Sequence, residues 1–144
     1  MESKYSFTVS LRIWHPSTAP DLITQSLEIK PQIEWKSGDR RRTPKGIALK
    51  GFRNENYWCA QLIPRRGVDS PRSSLESALA ILARRLKGQA RFFRRLRSTG
   101  GEVELFVGWF GGKKFNFGCV LPAELLTSLG NSAIALHLDV YPKN

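Results

Sequence analysis

Residues 5 to 13, YSFTVSLRI, alternate without a fault. Tyr5, Phe7, Val9, Leu11 and Ile13 fall on one side of an extended chain, and Ser6, Thr8, Ser10 and Arg12 on the other. Successive side chains of a strand point to opposite faces, so this period of two predicts a strand buried on one face only. A chain carrying such a strand must build a sheet and cover one side of it. The period returns in EVELFVGWF, with Val103, Leu105, Val107 and Trp109 together. It returns again in AIALHLDVY, with Ile134, Leu136, Leu138 and Val140 turned inward. QIEW and YWCAQLI, the latter ended by Pro64, read as two more strands, and IAL at 47–49 as a short one. GGKK reads as a tight turn from EVELFVGWF into FNFGCVL, the second arm of a hairpin.

Between these strands lie helical signals. Pro20 suits the first position of a helix, with Thr18 or Ala19 near the cap, Asp21 in the first turn, and Ile23 and Leu27 on one face. Pro31 ends it. Ser70 followed by Pro71 starts a second helical segment. Leu75, Ala78, Leu79, Leu82, Leu86 and Phe93 share its apolar stripe, and Gly88 is placed to split it. Pro122 opens a last short helix with Leu125, Leu126 and Leu129, and Gly130 is placed to close it. The expected fold is α+β in a single domain, 1–144: an antiparallel-rich sheet of five or six strands with helices packed on one face. Val9, Leu11, Leu82, Leu105, Leu136 and Leu138 are assigned to one core. PDLITQSL at 20–27 and PAELLTSL at 122–129 echo each other, each between strands. That echo suggests a ferredoxin-like duplicated βαβ arrangement.

The layout resembles an uncharacterised, mostly bacterial family known only as domain of unknown function 4279. The resembling elements are APDLITQSLEIKP after the first strand, the KSGD turn, the Trp-containing strand YWCAQL, a helical middle, and the ending LPAELLTSLGNSAIALHLDVY. The resemblance spans nearly the whole chain and implies a compact α+β domain. It brings no catalytic residue, cofactor or substrate. The insert RRRTPKG and the basic helix look like features of this chain.

No apolar run approaches the roughly 18 residues of a membrane span. The stretch MESKYSFTVSLRIW lacks an apolar h-region and a small-residue cleavage site, so a cytoplasmic protein with no membrane partner is expected. Cys59 and Cys119 read as buried free thiols rather than a disulfide. Two Cys and two His without paired ligand spacing argue against zinc, and no cofactor is expected.

Charge is where the chain departs from the ordinary. Its net charge is +11, and residues 36–97 hold 17 of the 23 Lys and Arg against four acids, Asp39, Glu55, Asp69 and Glu76. One segment therefore supplies the whole positive excess, which favours a polyanionic partner. KSGDRRRTPKG at 36–46 reads either as a clamp, with Arg40, Arg41, Arg42 and Lys45 on phosphates, or as a hairpin connection kept solvated by charge. On the helical segment Arg84, Lys87, Arg91, Arg94 and Arg95 form a face with no acid from Ala78 to Leu96. Such a face repels itself and gains no i,i+4 pairs.

The remaining candidates favour structural readings. His15 and His137 could form an acid/base pair, though strand and loop histidines are commonly structural. Glu102 and Glu104 read as the solvent side of a strand rather than a carboxylate pair. GWFGGKKFNFG lacks P-loop spacing. Phe106, Phe110, Phe115 and Phe117 interleave with Lys113 and Lys114, where core packing or a dimer interface between sheets is favoured over base stacking. The functional expectation is a non-enzymatic binding domain whose basic loop and helix face contact an acidic protein or nucleic acid. A homodimer is a further partner expectation. The alternative is a defence-associated or immunity-like protein that occludes a toxin or phage factor, against which like-charge repulsion with basic nuclease toxins counts.

Overall fold

The alternating segment forms β1 (Tyr5–His15), and burial follows the alternation residue by residue, with Phe7, Val9, Leu11 and Ile13 withdrawn from water completely. The computed structural model describes residues 4–112 and 116–142. The elements after β1 are α1 (Pro20–Leu27), β2 (Ile33–Trp35), β3 (Arg40–Arg42), β4 (Ala48–Phe52) and β5 (Asn56–Val68). Then come α2 (Leu75–Leu86), α3 (Ala90–Ser98), β6 (Glu102–Gly111), α4 (Ala123–Asn131) and β7 (Ala135–Tyr141). The larger sheet has the order β2-β5-β1-β6-β7, and β3 and β4 form a separate two-stranded sheet. Ile23 and Leu27 of α1, Leu79 and Leu82 of α2, Phe93 and Leu96 of α3, and Leu125 and Leu129 of α4 all join the inward residues of β1 in one core. All four helices therefore cover one face. No helix among the described residues covers the other.

The sheet is mixed, which corrects the antiparallel-rich expectation. β1 pairs antiparallel with β5 and β6, and β2 with β5, but β7 lies parallel to β6. The expected hairpin would have returned the chain beside β6 in the opposite sense. Residues 116–121 form no strand, and the turn residues Lys113 and Lys114 lie outside the described residues. Phe117 instead packs edge-on against Trp109, ring centres 5.2 Å apart, and beside Tyr5 at 5.6 Å. The chain then crosses over through α4 and re-enters the sheet in the same sense as β6, as a helical crossover requires.

The duplication suggested by the echo is not reproduced. α1 joins β1 and β2, which have β5 between them, whereas α4 joins the adjacent strands β6 and β7. Two other details differ from expectation. β5 continues through Pro64, because the register with β1 shifts between Phe7 and Val9, where a missing N–H is tolerated. Gly130 lies inside α4, and Ala133 takes the left-handed backbone instead (φ 57°). The helical middle does divide at the expected place, with a 3-10 turn at Lys87–Gln89 between α2 and α3.

Three side chains tie helices and turns to the sheet. Trp58 Nε1 donates to Thr24 Oγ1 (2.9 Å), tying α1 to β5. The Leu75 N–H at the start of α2 donates to the Tyr5 hydroxyl (2.9 Å). Asn56 donates to the Thr18 carbonyl (2.7 Å) and accepts from the Ser37 N–H (2.7 Å), so one buried amide holds two turns.

Edge strand β7 is less covered than its alternation suggests. Ile134 is buried and Leu136 packs against the core, but Leu138 is 39% and Val140 50% exposed, so neither is a core residue. α4 shelters only the beginning of the strand. Replacing Leu105, which is fully buried, by Ala should cost about 2–5 kcal/mol in chemical denaturation. Leu138→Ala should cost about 1 kcal/mol or less. Equal losses at the two positions would show that another chain covers β7 in solution.

Candidate functional site

The basic stretch 36–46 folds as a turn, a strand and a second turn. Asp39 N–H donates to the Lys36 carbonyl, with Gly38 at φ 91° in the third position, a conformation that an L side chain resists. The Asp39 carboxylate accepts from the Lys36 N–H (2.9 Å), so the one acid of the stretch is spent on its own turn. β3 carries Arg40, Arg41 and Arg42 and pairs with β4. The return is a turn at 43–46 with Pro44 at its second position, closed by Gly46 N–H to the Thr43 carbonyl (2.8 Å). Arg40, Arg41, Arg42 and Lys45 are all exposed. A two-stranded sheet alone is marginal in water, and this one also exposes Ile47 (64%) and Phe52 (65%).

A cavity of about 710 Å³ separates this hairpin from β2, and Arg40, Arg42 and Arg53 line it together with Ile33 and Trp35. The helix-borne cations lie elsewhere. Arg84, Lys87, Arg91, Arg94 and Arg95 are exposed. Lys87 and Arg94 line a groove against α4, and Arg94 donates to the Asn131 carbonyl (2.9 Å). Arg95 borders a third cavity, beside His15 and Phe92. No hydrogen bond or salt bridge among the described residues joins the hairpin to α2 or α3, and no hairpin residue lines the grooves beside Lys87, Arg94 and Arg95. The loop and the helix face, read together from the sequence, are two separate cationic surfaces.

The two histidines lie on opposite faces of the sheet and form no pair. His15 is 2% exposed, on the helix side. Its Nδ1 accepts from the backbone N–H groups of Ser17 (3.0 Å) and Thr18 (2.8 Å). Nδ1 is therefore unprotonated, and Nε2 donates to Thr99 Oγ1 (2.8 Å). The ring thus caps the turn into α1 and pins the end of α3. Gly101 passes so close that a Cβ there would lie 2.6 Å from His15 Cδ2. His137 is on the open face, its Nδ1 3.3 Å from the Glu104 carboxylate. Glu104 also accepts from Arg12 Nη1 (3.4 Å), so it bridges two groups, and exposed Glu102 is not its partner. Among the described residues no three His, Cys, Asp or Glu side chains converge where a metal could sit. Cys59 and Cys119 are free and only half-buried. No helix among the described residues is long and apolar enough to cross a membrane.

Phe106 and Phe110, for which the sequence favours core packing or a dimer interface, lie on the open face with rings that the sequence alone does not group with them. The rings of Trp35, Tyr57 and Trp14 follow one another across β2, β5 and β1, with centres 4.3 and 5.1 Å apart. The Arg53 guanidinium lies 3.6 Å over Trp35 and closes the column on the hairpin side. Arg12 lies 4.4 Å over Phe106 and donates through Nε to the Tyr57 hydroxyl (3.0 Å). Burial, with Cys59 alongside, outweighs that bond and pushes the Tyr57 hydroxyl up to about 12. Burial works against the Arg12 charge, but Tyr57 and Glu104 more than offset it and hold the guanidinium above its ordinary value. Farther along, Arg65 lies 4.1 Å over Phe110, which stacks on Tyr141 at 4.9 Å with planes 12° apart. A signal for this face was present: Arg12, Trp14, Phe106 and Phe110 occupy the outward positions of strands whose inward positions, apart from His15 at the end of β1, are apolar or aromatic. Phe117 is not part of it, and Phe115 lies outside the described residues.

Burial lowers the His15 pKa below its ordinary 6.5, so the folded protein holds this ring neutral. The stability it contributes is fully present above about pH 6.5 and is lost as the pH falls through the lowered value. His15→Ala should cost about 2–5 kcal/mol at pH 8, because two N–H groups and a hydroxyl lose their partner and a cavity opens. Thermal melts of the two proteins should converge as the pH is lowered from 7 to 5. A gap that widens with acid would show that the ring is charged in the fold.

No curated protein and no solved structure matches the chain. The family described as Domain of unknown function (DUF4279) matches residues 3–143, which is nearly the whole length over which β1 through β7 are laid out. By that match the chain belongs to the DUF4279 family.

Proposed function

We propose that this chain is a non-enzymatic binding domain for an anionic partner, which it engages with the β3–β4 hairpin and the adjoining open face of the sheet. The observation that carries this reading is the cavity between hairpin and sheet, where Arg40, Arg42 and Arg53 converge in front of Trp35. Glu34 and Asp39 border the same cavity, but among the described residues no carboxylate lies within salt-bridge distance of these arginines, and Asp39 is held in its turn. Guanidiniums that line one cavity without a carboxylate partner repel one another, although Arg42 also donates to the Gly46 carbonyl (3.2 Å), and an anion between them relieves that repulsion while accepting bidentate hydrogen bonds. The cations of α2 and α3 belong to a second surface and are not required for this contact. We also read β6-β1-β5-β2 as a ferredoxin-like unit of two interleaved split βαβ motifs, with α4 and β7 appended.

The test is the salt dependence of binding to nucleic acid. For about five phosphate contacts, log K against log salt should fall with a slope of roughly −3.5 to −4.5. Replacing Arg40, Arg41 and Arg42 by Ala should flatten the slope by about two to three units. Replacing Arg84 and Arg91 should leave it unchanged. No binding at about 50 mM salt, with protein well above the 10⁻⁴–10⁻⁶ M typical of non-specific complexes, would overturn the nucleic-acid form of the proposal. An acidic protein would then be the partner class to examine.

A further inference from the structure

We infer that the open face of the five-stranded sheet is a stacking platform for the unpaired bases of a single-stranded nucleic acid; this rests on the anionic-partner reading and names the partner. The face is unusual in its chemistry as well as in being open. A solvated sheet face ordinarily carries short polar or charged side chains, and exposed aromatic surface calls for an occupant. Here each strand contributes a ring: half-buried Trp35 from β2, Trp14 from β1, and Phe106 and Phe110 from β6, exposed Tyr141 from β7, and beneath them the buried Tyr57 from β5. Tyr141 remains 45% exposed.

The arginines are arranged to match. Arg53, Arg12 and Arg65 each seat a guanidinium 3.6–4.4 Å over one of these rings, at the two ends and the middle of the face. A guanidinium held flat on a ring offers its outer side to a further planar group and its N–H edge to a phosphate. Aromatic rings interleaved with cations along an open groove are what a single strand requires, since every base has a π-face. The hairpin with Arg40 and Arg42 continues the positive surface at the Trp35 end, so a backbone leaving the sheet there meets further cations.

Charge separates this partner from the others. Glu102, Glu104 and Asp139 also lie on this side of the sheet, on β6 and β7. They oppose a row of acidic side chains, whereas a strand whose bases cross the centre can place its phosphates at Arg53 and Arg65, leaving Arg12, already paired with Glu104, to hold its ring contact. A duplex keeps its base faces stacked away from such a surface. A second copy of this chain would bring a net charge of +11 against another +11.

The experiment compares four labelled probes by fluorescence anisotropy: a 20-mer oligothymidylate, an abasic deoxyribose-phosphate strand of equal length, a DNA duplex of equal length, and a poly-glutamate peptide. The oligothymidylate should bind at least about tenfold tighter than the abasic strand, and each stacked base is worth about 5- to 150-fold. Phe106→Leu and Tyr141→Ser should each erase much of that preference while the slope against salt stays unchanged. The leucine keeps the apolar packing and removes the π-face, so loss of preference in a protein that melts normally reports stacking. Equal affinity for the base-bearing and abasic strands, with a steep salt slope, would overturn the platform and leave the anionic-partner reading standing. Poly-glutamate or duplex DNA binding as tightly as oligothymidylate would also overturn it. Binding of no probe would remove both readings.

Discussion

Strand β1 lies between β5 and β6, and its alternate side chains belong to two different environments. On one side Phe7, Val9, Leu11 and Ile13 are wholly removed from water and meet all four helices. Each such side chain contributes about 1.5–3 kcal/mol of transfer free energy, so this row alone is comparable with the net stability of a small domain. A shift of one residue in its register would exchange the two faces. Everything else is placed by that row: the helices because they must cover it, and the second face because they leave it open.

The open face is therefore a consequence of the core. Ser6, Thr8 and Ser10 there are small and half-buried, so the larger side chains of neighbouring strands can lie down across them. Arg65 reaches Ser6 Oγ (3.0 Å) while covering Phe110, and Arg12 is held between Tyr57 and Glu104. These arginines are oriented by hydrogen bonds and ring contacts. The cations of α2 and α3 are exposed, and of these only Arg94 makes a hydrogen bond to another element, to the Asn131 carbonyl, among the described residues. An arginine whose position is already set loses less freedom on meeting a ligand, which favours the sheet face over the helix face as the place of recognition.

The buried polar groups serve the fold. His15, Asn56 and Ser132 are each under 9% exposed, and His15 and Asn56 spend their hydrogen bonds on turns at the ends of strands. A histidine enclosed in this way by two backbone N–H groups and a hydroxyl has no free nitrogen to offer. The one histidine with an exposed edge, His137, joins Phe106 and Glu104 on the open face.

The strands β1 and β6, the four helical segments and the inward residues Val9, Leu11, Leu82 and Leu105 were legible in the sequence, because periodicity of 2 or 3.6 is a local signal of burial on one side. The family was legible too, since its short elements follow one another along the chain. The positive charge of 36–46 was equally visible, and so was its turn chemistry at Gly38 and Pro44. Three things were decided only in three dimensions. Whether β7 would run parallel to β6 depended on α4 crossing over in place of a hairpin, which no local pattern in FNFGCVL opposes. Whether Arg40–Arg42 and the α2–α3 cations would meet depended on where β2 and the helices lie about the sheet. And whether Trp35, Tyr57, Trp14, Phe106 and Phe110 would form one surface depended on strand order, because residues up to 75 positions apart become neighbours only when β2, β5, β1 and β6 are laid side by side. Periodicity tells a side chain which face it takes; only the order of the strands tells it which side chains share that face.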